Sequence, residues 1–568
     1  LPIAMSLDIE KAFDTLNWTY LWEVLKAVGV GPSFLRWVRL LYLSPRARVR
    51  TGAAVSQSFR IHRGTRQGCP LSPILFALAM EPLACLLRRR GAEWGIMEGE
   101  QPDIVSLYAD DALIYLRDYI MTLPRVLRLL ERFGGLAGLQ INWNKSCLYP
   151  MRPLRQGEEA GLLHDRLPWR TETVKYLGIN VYHTEKDSVE GNLHRAVASL
   201  RRCMDFWNGL PLSPVGRIAI AKMLVLPRLL YLFTALPFVP SRAFFQGLKT
   251  LLSELTWGRE RKRVLVTTLQ RPLVEGGLGL PDLELYYAAA QLQWPMKWLT
   301  NTGPEYGMIR PGLGGKDTLG WLMGLTAPSK KASALLQVAW KCWRRYIQPK
   351  GGPPPYAPEL PLWSLPGLAA VSAVHGAEPW RRAHVMRLED IYEEGVLMTF
   401  QGLQDRYDLG TRAFISYGAL CRALQAMWGN GHIEPSIHAG LRAVLTHGSG
   451  GHAVTILYRA LRESLGGKPL PIKRRWGEAI AEDITEPQWE AALMNVRCVS
   501  RNARLKYTQF NYLHQTYLTP HRIHVMFPGV SAKCPRCACD DADFLHMVWG
   551  CAGLRSRWEQ VMTIINDI

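Results

Sequence analysis

No run of about 18 uncharged apolar residues occurs in this sequence; Arg or Pro interrupts its apolar stretches at short intervals, so no membrane span is expected. Nor is there an internal repeat at a period of about 20–50 residues or a long low-complexity tract, which sets aside solenoid and fibrous classes. The eleven cysteines lack the spacing of a secreted disulfide framework, being scattered singly except between Cys534 and Cys551, and a reducing, intracellular compartment fits them better. The most informative absence is of acid. Between Glu23 and Glu81 there is none, while Lys26 and Arg36, Arg39, Arg46, Arg48, Arg50, Arg60, Arg63 and Arg66 stand in that stretch. A solvated basic face is the ordinary account of such a run, but one sign kept so long is better explained by a phosphate backbone lying nearby. The whole chain agrees, with 68 Lys+Arg against 48 Asp+Glu and a formal charge of +20.

With 568 residues, 48% of them hydrophobic, the chain has material for several packed cores, about three or four domains by length. It starts at Leu1, on a strand-like run, and is expected to be a piece of something longer, with any targeting signal out of sight. Short β-like runs alternate with helical stretches before residue 190, which predicts an α/β core. Helical periodicity dominates 191–300, as in "GRIAIAKMLVLPRLLYLF", and the remainder reads as mostly helical. "KGGPPPYAPELP" (350–361) reads as a linker, with "PGLGG" (311–315) and "HGSGGH" (447–452) as lesser breaks.

"SLYADDALIYL" (106–116) places Asp110 and Asp111 between two alternating apolar runs, which alone is ordinary hairpin-turn composition. A third acid changes its weight. Ile3 to Leu7 reads as a buried strand ending in Asp8, with Asn17 capping a helix through "WTYLWEVLKAVG" that Gly29 closes. Side by side in one sheet, strand and hairpin would set Asp8 against Asp110 and Asp111, carboxylates that repel unless cations bind. Two Mg²⁺ ions about 4 Å apart are the usual remedy, and their chemistry is nucleotidyl transfer. Between these acids, "RGTRQGCPLSPILFALAMEPL" (63–83) offers Gly64 and Gly68 for close backbone approach and Pro70 and Pro73 for the first turn of an apolar helix, a loop suited to holding a nucleotide.

A second set of residues with chemistry closes the chain. Cys534, Cys537, His546 and Cys551 form C-x2-C-x8-H-x4-C, suited to tetrahedral Zn²⁺, with Cys539, His521 and His524 as alternative ligands. Before it, 496–533 holds Arg497, Arg501, Arg504, Lys506, Arg522 and Lys533, no acid, and Tyr507, Phe510, Tyr512, Tyr517 and Phe527 interleaved. Cations for phosphates and rings for stacking are what single strands and RNA require, although some of these rings also fit core positions of an amphipathic helix.

Together these segments resemble the reverse transcriptases of non-LTR (LINE-type) retrotransposons. "LDIEKAFD", "GTRQGCPLSPILF", "YADD", "GLQINWNKS" (138–146) and "KYLGI" (175–179) are similar to that family's palm motifs, in order. "GRIAIAKMLVLPRLLYLF" is similar to its thumb, "EGGLGLPDLELYYAAAQL" (275–292) to the stretch after it, and "YLTPHRIHVMFP" with the Cys/His cluster to its far C-terminus. The resemblance implies a right-hand polymerase: an α/β palm over 1–190 with incomplete fingers, a helical thumb over 191–300, a mainly helical region over 301–495, and a basic and aromatic segment with a small zinc module over 496–568. It implies Asp8, Asp110 and Asp111 as catalytic Mg²⁺ ligands, and Phe13 as an aromatic gate that selects dNTPs over rNTPs. Gln67 and Gly68 would contact nucleotide and template, Lys145 would lie near the triphosphate, and Tyr176, Leu177 and Gly178 would grip the primer. The implied activity is RNA-directed DNA synthesis from a DNA 3′-hydroxyl at a nicked target, using an RNA template and dNTPs in the nucleus, with the family's endonuclease and most of the fingers absent from this stretch. Two other readings stay open: a non-catalytic nucleic-acid-binding remnant, and a group II intron-type maturase, which shares "YADD" but lacks the thumb and zinc-cluster likeness.

Overall fold

The computed structural model describes residues 1–98, 101–156, 158, 166–258, 261–299, 332–347, 356–365, 368–371, 376–438, 442, 452–466, 470–498 and 500–567. The chain divides into two compact units, Leu1–His194 and Arg195–Ile568.

The first unit is built on a four-stranded antiparallel sheet of β1 (Ile3–Leu7), β2 (Val105–Tyr108), β3 (Asp111–Leu116) and β4 (Cys147–Pro150), in the order β4-β1-β3-β2. The period of two sorts its side chains. Ile3, Met5 and Leu7 of β1, Ala112, Ile114 and Leu116 of β3 and Leu148 of β4 enter the main core. Ala4, Leu113, Cys147 and Tyr149 point the other way, onto Val174. Three helices close the first face: α1 (Trp18–Ala27), α2 (Ser72–Arg89) and α3 (Tyr119–Ala137). Leu75, Phe76, Ala79, Met80, Leu83 and Leu87 of α2 and Leu123, Val126, Leu130 and Phe133 of α3 recur at helical spacing and are buried there. The side-chain oxygen of Asn17 accepts the backbone N–H of Thr19 at 2.8 Å and so caps α1, and Gly29 follows the helix at φ 82°. In α2, Pro73 occupies the first turn as the sequence suggests, but Pro70 stays outside and the helix runs on through Pro82 to Arg89.

The opposite face meets a hairpin of β5 (Thr173–Tyr176) and β6 (Ile179–Tyr182), whose two-residue turn puts Leu177 at φ 45° and Gly178 at φ 81°. The helix after it, Glu185–Asn208, spans both the expected boundary at 190/191 and the observed one at His194. Its first turns belong with the hairpin because Asn192, 2% exposed, accepts the Asn180 N–H at 2.9 Å and donates to the Asn180 carbonyl at 2.7 Å.

The second unit is mainly helical. Its apolar "GRIAIAKMLVLPRLLYLF" stretch lies in one continuous helix, Pro214–Ala235, by length and composition long and apolar enough to cross a membrane. The Arg and Pro expected to break this stretch do not. Pro227, lacking an N–H, is absorbed by a π-helical turn over Ala221–Val225, and Arg217 is buried, donating to the carbonyls of Leu212 and Leu210 and, at 2.7 Å, to Asn208. Helices Arg242–Trp257 and Leu283–Leu299 pack with it, the latter also stacking Tyr286 on Tyr458 at 4.0 Å. The expected boundary at 495/496 falls inside the helix Glu486–Cys498, whose Leu493 gathers with Leu470 and Leu513 over Gly276. Of the expected linker, 350–355 lies outside the described residues, while Tyr356, Ala357 and Leu360 are core residues. The breaks at 311–315 and 447–451 also lie outside the described residues.

Candidate active site

The acids sit where the sheet ends. Asp110 and Ala109 form the two-residue turn between β2 and β3, closed by the Tyr108↔Asp111 pair, with Ala109 in the left-handed region at φ 54°. The β1–β3 register, whose last pair is Leu7↔Ala112, brings Asp8 level with Asp111 when continued by one residue. Asp8 and Asp110 are half-buried and Asp111 is exposed. Burial raises the Asp111 carboxyl above its ordinary value, the charges of Asp110 and Asp8 add to the rise, and Lys175 opposes it. The three acids therefore act on one another at a single edge.

Two residues that sequence reading did not single out shape this edge. Ser146 is fully buried; its hydroxyl accepts the Asp8 N–H at 3.1 Å and donates to the Asn142 carbonyl at 2.8 Å, while the Asn142 N–H donates to the Asp8 carbonyl at 2.8 Å. Lys175 supplies the positive charge beside Asp111. The local signals were a serine closing "GLQINWNKS" and a lysine opening "KYLGI". Lys145, expected near a triphosphate, lies 3.8 Å from the Asp8 carboxylate. Tyr176 comes close enough for Asp111 to add to the burial that raises its hydroxyl, and Leu177 and Gly178 form the turn of the same hairpin.

The glycine loop is held against the chain that follows β1. The Thr65 N–H donates to the Phe13 carbonyl at 2.5 Å, the Gly64 N–H to that of Leu16 at 2.8 Å, and the Gln67 amide to Asp14 at 3.2 Å. A Cβ on Gly64 would meet the Asp14 carbonyl oxygen at 2.5 Å, so no side chain fits, whereas Gly68, also at positive φ, faces open space. Phe13 is half-buried and stacks on Phe76 at 4.6 Å, so part of its ring serves the core. A cavity of about 530 Å³ opens beside the loop, lined by Arg63, Arg66, Gln67, Asp14, Trp18 and Tyr42. The eight arginines of the acid-free stretch are all exposed, and among the described residues none is in an ion pair.

The Cys/His cluster is more tightly drawn. The ligand atoms of Cys534, Cys537, His546 and Cys551 all lie within 4.8 Å of one another. Cys534 and Cys551 sulfurs are 3.7 Å apart, and the Cys537 sulfur is 3.3 Å from His546 Nε2. A tetrahedral Zn²⁺ with Zn–S near 2.3 Å requires sulfurs about 3.8 Å apart, so the donor set fits one. The backbone makes the grip: Ala538 takes φ 57°, its N–H donates to the Cys534 carbonyl at 2.9 Å, and the Arg536 N–H points at the Cys534 sulfur. The alternative ligands have other roles: His521 pairs with Asp541 at 2.5 Å, His524 binds the Val530 carbonyl at 2.6 Å, and Cys539 is exposed. Among the described residues no other group of three or more such ligands converges in this way, the three aspartates included. Of the interleaved rings, Phe510 takes a core position, while Tyr512 and Phe527 are exposed.

Residues 2–181 match the family of reverse transcriptases (RNA-dependent DNA polymerases). The chain is 30% identical over 298 residues to the transposon TX1 uncharacterized 149 kDa protein of Xenopus laevis, covering 52% of this chain and 22% of that one. It is 27% identical over 299 residues to a retrovirus-related Pol polyprotein from the type-1 retrotransposable element R2 of Popillia japonica, covering 49% of this chain and 39% of that one. The chain thus spans well under half the length of these curated relatives. A Candida tropicalis telomerase structure in complex with a TWJ fragment of telomeric RNA aligns with 54% of this chain and 48% of that one at a TM-score of 0.28 and 11% identity, too remote to bear on the fold. Order of motifs, sheet and relatives agree: residues 2–181 match the reverse transcriptase family, and the relatives are proteins of the transposon TX1 and the retrotransposable element R2.

Proposed function

We propose that the protein copies RNA into DNA, extending a DNA 3′-hydroxyl at a target site with dNTPs. The observation that carries this reading is the meeting of Asp8, Asp110 and Asp111 at one sheet edge, where burial and then the charges of Asp110 and Asp8 raise the Asp111 carboxyl. An edge with that much uncompensated negative charge suits divalent cations, and Asp8, Asp110 and Asp111 would hold Mg²⁺. Bound there, Mg²⁺ supplies activation of the attacking hydroxyl and neutralisation of the leaving phosphate oxygens. The remaining work falls to side chains. Ser146 and Asn142 fix the backbone of Asp8 at hydrogen-bond distance. Lys145, next to Asp8, would give a proton to the departing pyrophosphate. Phe13, braced by Phe76, would press on the sugar and leave no room for a 2′-hydroxyl. Gln67 and Gly68 would meet nucleotide and template, and Tyr176, Leu177 and Gly178 the primer.

The palm would be the sheet unit, the thumb the helices after it, and the Cys/His cluster a structural Zn²⁺ site of one ion, its sulfur–sulfur distance supporting that reading. The test is primer extension on poly(rA)/oligo(dT) with Mg²⁺ and dTTP, using the longest available form of the protein. Synthesis that falls about 10³-fold or more in Asp110→Ala is expected. Synthesis unchanged by that substitution would overturn the assignment of the carboxylates, and salt-sensitive RNA binding with no synthesis at all would mean a binding remnant instead.

A further inference from the structure

The second unit contains a cavity of about 400 Å³ whose polar wall is formed by Gln246, Lys249, Thr250, Ser253, Lys262 and Arg263. Lys249 is engaged by Glu284 at 3.3 Å, whereas Lys262 and Arg263 are exposed and, among the described residues, in no ion pair. Ser253 is 3% exposed, and its hydroxyl has no hydrogen-bond partner. A buried hydroxyl left unpaired is rare and calls for a missing acceptor. Two uncommitted cations beside an unused donor suit an anionic oxygen.

Arg263 also faces another feature. Burial raises the hydroxyl of Tyr517 and the nearby charge of Arg263 opposes the rise, while the Tyr517 ring lies 5.1 Å from Tyr512. Tyr512 is 37% exposed and lies 6.0 Å from Phe544, which in turn is 5.8 Å from Trp476. Phe544 stands two residues before His546, so the fold of the Cys/His cluster sets the far end of this row. Cations and rings from stretches more than two hundred positions apart in the chain thus adjoin. A single strand offers both phosphates and open base faces to such a surface, while a duplex hides the faces within its stack.

We propose that the cavity of Lys262 and Arg263 and the ring row of Tyr517, Tyr512 and Phe544 form one binding surface for a single-stranded nucleic acid, a phosphate lying in the cavity beside Ser253 and bases stacking on the rings. It rests on the proposed nucleic-acid partner and is independent of the carboxylate chemistry. The test uses the full chain, without divalent cation or dNTP, and labelled oligo(rU), oligo(dT) and a duplex of about 12 nucleotides, within the site size of one stacking module. Anisotropy is read over a range of salt. Replacing both cations, Lys262→Ala with Arg263→Ala, weakens single-strand binding about tenfold or more and flattens the salt slope by about 1.4, at about 0.7 per phosphate contact. Tyr512→Ala weakens it about tenfold, at the stacking strength of one base. Removing two exposed arginines elsewhere, Arg381→Ala with Arg382→Ala, leaves affinity and slope within about twofold. Comparison of the oligo(rU) and oligo(dT) arms identifies which strand the surface prefers. If the cation pair loses no more than this control, or duplex binding falls as far as single-strand binding, the surface is not what we propose. Neither outcome depends on primer extension, so the two readings stand or fall separately.

Discussion

The two groups of metal-type ligands differ in how far the chain has drawn them together. At the Cys/His cluster a tight backbone loop brings four ligand atoms within 4.8 Å of one another. At the sheet edge the backbone delivers three carboxylates to neighbouring strand ends without such convergence; Asp8 takes Lys145 as a partner at 3.8 Å, and burial, with the charges of Asp110 and Asp8, raises the Asp111 carboxyl. Like-charged carboxylates resist such convergence until a cation screens them. One arrangement is built to be closed, the other to be completed by what it acts on.

The widest gap between the two should appear when ligands are removed. Cys534→Ala combined with His546→Ala is expected to abolish the binding of about one zinc per chain and, because apparent zinc affinity of about 10–16 kcal/mol is also folding energy, to expose 530–551 to protease. Elemental analysis and limited proteolysis check it; zinc retained at full occupancy would refute the ligand assignment. Asp8→Asn should leave thermal stability and zinc content unchanged yet lower primer extension by about 10³-fold, about 4 kcal/mol in the transition state.

Ser146→Ala tests whether the sheet edge also has a built support. It leaves the Asp8 N–H without its acceptor, which should cost about 1–3 kcal/mol of stability and lower kcat more than it changes the KM for dTTP; an equal effect on Asp8→Asn and wild-type stability is expected. Asp111 supplies the pH test. Its folded-state value is raised, so its contribution to stability is present at low pH and is lost as pH rises through that value. Asp111→Asn should therefore remove this loss, raising Tm at neutral pH by about 1 °C while extension collapses. In the wild type, the Mg²⁺ needed for half-maximal extension should climb as pH falls toward the raised value, since protons then compete for the same oxygen. The smallest effect belongs to Ala109→Gly, which relieves a left-handed alanine and should add about 1 kcal/mol to stability; differential scanning measurements with extension rates show whether the strained turn also serves catalysis.

Much of the sheet unit was readable in advance, because its signals are local. Ile3–Leu7 is apolar and buried except at the half-buried Ser6, Asn17 caps the helix it precedes, and the two apolar arms around Asp110 and Asp111 pair in a hairpin. The contacts that tune the site were not readable, since they join residues distant in sequence: Ser146 reaches Asp8 across the β1–β4 side of the sheet, and Lys175 reaches Asp111 from another hairpin. Boundaries were the weakest expectation. Helix periodicity says where a helix is and not which core it serves, so Glu185–Asn208 and Glu486–Cys498 cross divisions drawn at 190 and 495. Composition also misled at Tyr356 to Leu360, where proline-rich text belongs to a packed stretch, while at Phe510 the alternative of a core ring is the one that holds.

The antiparallel pairing of β1 with β3 makes the site a matter of counting. Leu7 faces Ala112, so Asp8 meets Asp111 through residue number alone, across a hundred positions of intervening chain. Loops between these strands can lengthen or shorten at small thermodynamic cost, but one residue gained or lost within β1 would turn Asp8 toward the opposite face and Met5 out of the core. In the descent of such a sequence, deletions should be common between the strands and nearly absent within them, and a copy that has lost a single codon there has lost both the meeting of Asp8 with Asp111 and the packing of β1.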